Sequence, residues 1–154
     1  MPGTQDEKAE RFRALHEGET FIIPNPWDVG SARVLEALGF RALATTSSGF
    51  AFTLGRLDGQ VTLEEVAGHV RAVDEASALP VSVDLENGFG SDPEDAAAAI
   101  TRVAADGAVG GSIEDWDPRE RRLYDFDHAL ARVLRRSAPG RGLGCFRRDR
   151  GTAQ

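Results

Sequence analysis

The sequence predicts an α/β fold made of the first four βα units of a (β/α)8 TIM barrel, preceded by an N-terminal helix. Short apolar segments alternate with amphipathic, helix-like segments, a pattern typical of βα units and a parallel sheet. Four such units in about 135 residues are half of the eight in a closed barrel of typically ~250 residues. An open, flavodoxin-like sheet uses the same units, and periodicity alone does not exclude it. The absence of a G-x-G-x-x-G motif after the first strand disfavours its dinucleotide-binding version.

The first half of the chain is predicted to hold two helices and two strands. The opening helix covers residues 5–16, and the first strand, 20–23, stops at the prolines of PNPWD. The next helix covers 29–38, with Gly39 providing its left-handed stop. The second strand is predicted over 42–46.

The second half begins with segment 47–60, SSGFAFTLGRLDGQ, whose length and glycine content indicate a functional loop. A capping box from Thr62 to Glu65 then opens a helix with an apolar valine face. The remaining predicted elements are a strand over 79–86, a helix opening at Asp92 and Pro93, a strand over 108–113 and a helix over 127–136.

Two segments of different character are expected along the chain. Residues 1–136 carry the periodic pattern and form the predicted half-barrel domain. Residues 137–154 are dense in Arg and Gly and have no apolar period. We therefore expect an irregular tail there and no fifth strand.

Composition excludes several classes of function. The 154 residues carry a net charge of −7, so no basic field is available for nucleic acid. No apolar stretch approaches the ~20 residues that span a bilayer, and the first residues lack the apolar core of a signal peptide. We expect a cytoplasmic protein without a membrane partner. Its single cysteine, Cys145, cannot form an internal disulfide.

Acidic residues follow two neighbouring strands of the predicted sheet. Asp84 and Glu86 are two positions apart, which on an extended strand puts both side chains on one face. Glu114 ends the next strand and would add a third carboxylate. Strand-end acids are often helix caps or solvated rim charges. Three together repel one another without a cation, so the pattern favours a site for Mg²⁺, with Mn²⁺ as an alternative.

The turn after the second strand offers backbone donors. Ser47, Ser48 and Gly49 can direct N–H groups at an anion, although an ordinary glycine turn has the same sequence. The chain's histidines are candidate proton carriers, but none follows a strand. We therefore interpret His16, His69 and His128 as surface or cap residues.

Together these segments are similar to a known family. The stretch PNPWDVGSARVLEALGFRALATTSSGFAFTLGRLDG, with VTLEEVAGHV, LPVSVDLENGFG and GSIED, resembles the isocitrate lyase and phosphoenolpyruvate mutase family from about Phe12 to Val133. The similarity is to its carboxyphosphonate mutases, methylisocitrate lyases and oxaloacetate decarboxylases. It implies a Mg²⁺-dependent enzyme acting on 2-oxo acids or phosphonate analogues through a pyruvate enolate, with C–C or P–C bond chemistry.

The resemblance also implies a role for each matching residue. Asp84 would bind Mg²⁺ directly or through water, and Glu86 and Glu114 would support it through waters. Asp58, in LGRLDG, would stand over the reacting group, and Ser48 is a second candidate catalytic residue. The implied substrate-binding residues are Trp27, Ser47, Ser48 and Gly49.

The chain departs from the family pattern in two respects. Family lyases carry a catalytic cysteine in a loop after the fourth strand, where this chain reads WDPRERRLYDFDHA. The departure disfavours cleavage of isocitrate or methylisocitrate and leaves decarboxylase-like, hydrolase-like or mutase-like chemistry. Strands five to eight of the family are also missing. We therefore expect a truncated member that is inactive alone, or a non-catalytic half-barrel fragment or assembly module. A homo-oligomer is expected from the family.

Overall fold

Helices pack against a small parallel sheet in this computed structural model. The structure describes residues 3–135 and 146–149. None of the described helices is long and apolar enough to cross a membrane. The helices are α1 (Gln5–Glu17), α2 (Val29–Ala37), α3 (Ser47–Thr53), α4 (Leu63–Ala76), α5 (Pro93–Ala104) and α6 (Phe126–Arg135).

The main sheet has the order β1-β2-β3-β6, and its neighbouring strands are parallel. The order follows the chain without the reversal that marks a doubly wound sheet, which favours a barrel segment over the flavodoxin-like alternative. A small antiparallel hairpin, β4-β5, follows β3. The strands are β1 (Leu43–Ala44), β2 (Val81–Asp84), β3 (Gly110–Glu114), β4 (Trp116–Asp117), β5 (Arg122–Leu123) and β6 (Phe146–Asp149).

All five predicted helices are confirmed. The Asp28 side chain caps α2 by accepting from the Ser31 amide, and Gly39 leaves that helix with a φ of +88°. The capping box from Thr62 to Glu65 opens α4 as predicted. The core between the sheet and helices α4 and α5 is formed mainly by Val66, Val70, Val83, Leu85, Ile100, Val103 and Ile113.

The strand predicted over 20–23 is wrong, because no strand is assigned there. The segment still runs beside β1, where the Pro24 carbonyl accepts a hydrogen bond from the Ala44 amide at 3.1 Å. Phe21 and Ile23 pack against the small core cluster of α1. Pro24 and Pro26 have no N–H to donate, so a regular ladder cannot form along this stretch.

Segment 47–60 is only partly a loop, contrary to the prediction. Its first seven residues form α3, capped by the Thr46 side chain, which accepts from the Gly49 amide at 3.4 Å. The rest of the segment is exposed and turns at Gly55 and Gly59, whose φ angles are +68° and +78°.

The prediction of no strand after residue 136 is wrong for one short stretch. Strand β6 pairs in parallel with β3, from Gly111 opposite Phe146 to Glu114 opposite Asp149. The unpaired edge of β3 accepts backbone partners with little regard to side chains, so FRRD joins it without an apolar pattern. The remainder of the predicted tail, 137–145 and 150–154, lies outside the described residues.

A buried lysine fastens α1 to the end of α4. Lys8 is 2% exposed, and its Nζ donates to the Asp74 carboxylate at 2.7 Å and to the Asp74 and Ser77 carbonyls at 3.1 and 3.0 Å. These contacts hold α1 across the amino end of β2.

Replacing Lys8 with Met should lower the free energy of unfolding by about 2 kcal/mol, because Asp74 loses its buried partner but stays partly in water. Urea denaturation measures the change. Arg13→Met, at an exposed position on the same helix, is the control and should stay within ~0.5 kcal/mol of wild type. Equal midpoints for Lys8→Met and wild type would contradict the assignment.

Candidate active site

The Asp84 carboxylate connects two strand ends at the carboxyl edge of the sheet. Its Oδ2 accepts from the Ser47 amide at 3.0 Å, and its Oδ1 accepts from the Glu86 amide at 3.1 Å. The Asp84 amide donates to the buried Thr45 hydroxyl at 3.0 Å. The turn after β1 and the acidic turn after β2, predicted separately, therefore meet through one side chain. Thr45 was not predicted to contribute.

Glu86 reaches the site by a different geometry from the one predicted. Strand β2 ends at Asp84, and Glu86 adopts a left-handed φ of +48°, so the same-face argument from an extended strand does not apply. The Glu86 carbonyl accepts from the Glu114 amide at 2.7 Å, which ties the turn to the end of β3. The Oε1 atom of Glu86 is buried without a hydrogen-bond partner among the described residues.

Burial and neighbouring carboxylates act together on Glu86. Its pKa is raised to about 7, first by burial and then by repulsion from Asp58, Asp84 and Glu114. Asp58 therefore belongs to the same acidic cluster, although it lies on the exposed segment after α3. A β-carbon built on the adjacent Gly59 would lie 3.9 Å from Glu86 Oε2.

The acidic cluster, defined here as Asp58, Asp84, Glu86 and Glu114, can be tested for its fit to a cation. Within residues 3–135 and 146–149, no group of three or more His, Cys, Asp or Glu side chains is arranged to hold a metal ion. A buried carboxylate oxygen without a partner, with other carboxylates nearby, nevertheless fits a hard cation that keeps several of its waters. The residues thus fit a cation held largely through water.

The first turn of α3 holds the predicted anion-binding residues. Two of its amides are already engaged, Ser47 by Asp84 and Gly49 by the Thr46 side chain. The Ser48 hydroxyl lies 3.4 Å from Thr46 Oγ1. Ser48 is therefore the residue of this turn best placed to bind an incoming anion.

Trp27 lies against the first turn of α3. A β-carbon built on Gly49 would approach the Trp27 ring and the Thr46 methyl to 2.6 Å, so only glycine fits between them. The other side of Trp27 meets Phe52 edge to face, with ring centroids 6.3 Å apart. Trp27 is half-exposed and forms the apolar side of this turn.

His69 is buried, contrary to the prediction that it lies on the surface. Its ring stacks on Phe50 of α3 at a centroid distance of 4.1 Å and an angle of 12°. Burial lowers the pKa of His69, and the charge of Asp28 opposes this only in part. The reason for the error is that α3 was predicted as a loop, so nothing in the sequence placed a partner over that side of α4.

Acidic residues and a serine-containing turn lie at the carboxyl ends of adjacent parallel strands, which is where enzymes of the α/β barrel class carry their active sites. The chain belongs to the phosphoenolpyruvate phosphomutase family, whose model matches residues 12–144. The family resemblance inferred from the motifs is thereby confirmed.

Relatives of the chain are lyases and mutases. It is 38% identical over 92 residues to 2-methylisocitrate lyase of Halalkalibacterium halodurans, covering 58% of this chain and 31% of the relative. It is 33% identical over 111 residues to oxaloacetate decarboxylase of a Bradyrhizobium species, covering 70% and 38%. A solved structure described as a lyase/mutase from Burkholderia cenocepacia J2315 is 43% identical, with a TM-score of 0.87.

The match to that structure covers 94% of this chain and 55% of the other. The α/β fold thus corresponds to that of the family's enzymes over about half of their length, and the chain spans less than half of the two curated relatives.

Glu86→Gln should change stability in a pH-dependent way. A carboxyl pKa raised from 4.5 to about 7 on folding means that the folded chain loses stability as pH rises through this range. Glutamine cannot ionise and escapes that loss. In EDTA, the melting temperature of the variant should match wild type at pH 4 and exceed it at pH 8 by on the order of a few degrees.

Glu64→Gln on the exposed part of α4 provides the comparison, since the Glu64 pKa is lowered by Arg102 and no gain is expected at high pH. A difference between Glu86→Gln and wild type that is the same at both pH values would show that folding does not raise the pKa of Glu86.

Proposed function

We propose that this chain provides the metal-binding and carboxylate-binding part of a Mg²⁺-dependent enzyme, with Mn²⁺ as a substitute. The enzyme acts on 2-oxo acids or phosphonate analogues through a pyruvate enolate. The observation that carries the proposal is the Asp84 carboxylate, which accepts from Ser47 and Glu86 and so joins the anion-binding turn to the acidic cluster. Each part alone is an ordinary feature of α/β proteins, whereas their direct connection is suited to a substrate that is both chelating and anionic.

The position of each residue suits it to one role, either in binding the cation or in binding the substrate. Asp84, Glu86 and Glu114 would hold the cation, which when bound supplies positive charge beside a developing enolate oxygen. Ser48 would orient the substrate carboxylate, and Ser47 and Gly49, whose amides are bound by Asp84 and Thr46, would hold this substrate-binding turn in position. Trp27 would form the apolar wall that limits water, and Asp58 would stand over the reacting group.

The substrate class is narrowed by the segment after β3. It forms the β4-β5 hairpin, and it contains no cysteine to act as the acid that the family's lyases use. Decarboxylation of a 3-carboxylated 2-oxo acid such as oxaloacetate needs no such acid at the carbon that leaves. We therefore favour a decarboxylase-like, hydrolase-like or mutase-like reaction on oxaloacetate or a phosphonate analogue over methylisocitrate cleavage.

The metal site is tested with Mn²⁺ as the probe. Asp84→Ala should weaken Mn²⁺ binding at least tenfold, because it removes a ligand and releases the amides of Ser47 and Glu86. Electron paramagnetic resonance of free Mn²⁺ gives the affinity. Glu64→Gln, a carboxylate lost from an exposed ion pair with Arg102, should bind Mn²⁺ as wild type does. The same affinity in wild type and Asp84→Ala would refute the assignment.

Oxalate tests the anion-binding turn, since its planar dicarboxylate has the shape and charge of a pyruvate enolate. We expect oxalate to bind in the presence of Mn²⁺, and Gly49→Ala to weaken it on the order of tenfold, because the new methyl collides with Trp27. Calorimetry measures both affinities. Gly68→Ala on α4, where a β-carbon meets nothing within 4 Å, is the matched control. Oxalate binding unaffected by Gly49→Ala would place the substrate elsewhere.

A further inference from the structure

A buried arginine on α6 holds the loop that follows the acidic turn. Arg132 is 1% exposed, and its guanidinium donates to the carbonyls of Asn87, Gly90 and Ser91, the last two at 2.8 and 2.5 Å. All of these acceptors lie in one short segment, residues 87–91, which is called the 87–91 loop below. The loop begins at the residue after Glu86.

The same loop has a second attachment beside Arg132. The guanidinium carbon lies 4.6 Å from the centre of the Tyr124 ring, and the Asn87 side-chain amide donates to the Tyr124 hydroxyl at 3.4 Å. His128, one turn earlier on α6, places a ring nitrogen 2.8 Å from the Ser91 carbonyl. Helix α6 is thus hydrogen-bonded to the loop at the loop's first and last residues.

The loop and the residue before it need such support, because their backbone is in an unfavourable conformation. Glu86 and Phe89 have left-handed φ angles of +48° and +61°, although neither is glycine. Conformations of this kind persist only where the surrounding structure imposes them, and they concentrate at functional sites. At Gly88, whose φ is +81°, a β-carbon would come within 3.2 Å of the Arg132 guanidinium, so glycine lets the arginine approach.

Packing alone does not explain why a charged arginine is buried at position 132. Among the described residues it forms no ion pair with a carboxylate, and its Nε is buried without an acceptor. An apolar side chain of similar size would avoid the desolvation of a buried charge. What an apolar side chain cannot do is bind several carbonyls at once, and the planar guanidinium does this with Nη1 on Gly90 and Ser91 and Nη2 on Asn87.

The geometry points to Arg132 as a positioning residue that fixes the 87–91 loop and thereby sets the direction of the Glu86 carboxylate at the acidic cluster. Arg132 itself is not a ligand. It acts through the backbone, because the Glu86 carbonyl also receives the Glu114 amide, so a shift of the loop moves two members of the cluster. The consequence for cation affinity rests on the proposed function, whereas the consequence for loop order does not.

Two measurements on the full chain separate these consequences. Amide hydrogen exchange at residues 86–91 and 114 reports on the order of the loop, and Mn²⁺ affinity reports on the acidic cluster. Arg132→Met should speed exchange at these amides at least tenfold while leaving those of β2 unchanged, and it should weaken Mn²⁺ binding by about tenfold. Arg132→Lys should lie between this variant and wild type.

Arg102→Met is the matched control, because Arg102 also binds acceptors outside its own helix, Glu64 on α4 and Asp106 just after α5, but away from the 87–91 loop. It should lower the melting temperature without changing either measurement. If Arg132→Met does not fold, Arg132→Lys decides the matter in the same way.

Wild-type exchange at residues 86–91 in a folded Arg132 variant overturns the positioning role, whatever the Mn²⁺ result. Faster exchange with unchanged Mn²⁺ affinity overturns the link to the cluster. If the wild-type chain binds no Mn²⁺, the proposed metal site fails, and hydrogen exchange alone still supports or refutes the role of Arg132.

Discussion

The geometry of the site depends on one carboxylate that accepts two backbone amides. Asp84 receives the first amide of α3 through one oxygen and the Glu86 amide through the other. Hydrogen bonds between backbone N–H groups and a carboxylate are stronger than those between neutral groups. Because the two amides belong to segments far apart in sequence, a single side chain sets the distance between the first turn of α3 and the acidic turn after β2. The other residues of the site are positioned by these two turns.

Charge is arranged differently at the two ends of the sheet. At the amino ends of β2 and β3, acids meet bases: Lys8 binds Asp74, and Asp106 lies between two arginines. At the carboxyl ends, burial and then the neighbouring carboxylates raise the pKa of Glu86 to about 7. The amino end therefore contributes stability, whereas the carboxyl end, where we propose that a cation binds, is less stable for its carboxylates.

Local rules explain which parts of the fold the sequence predicts well. Helices α2 and α4 begin at the residues where a side chain can cap the first turn, Asp28 and Thr62, and those patterns are complete within four residues. The acids at the ends of β2 and β3 were likewise identified, because parallel strands bring their carboxyl ends to one edge. The family was recognisable for a related reason, since its motifs lie in these strand ends.

What the sequence determined by itself was the order of the elements and the identity of the residues at the strand ends, because caps, apolar periods and turn residues act over a few positions. Tertiary structure decided how those residues meet. Three features depend on contacts between segments up to 45 residues apart. They are the left-handed turn at Glu86, the burial of His69 under α3 and the hydrogen bonds from Arg132 to the 87–91 loop. Such contacts have no pattern in the local sequence, since they arise only when packing brings distant groups together and removes water from between them.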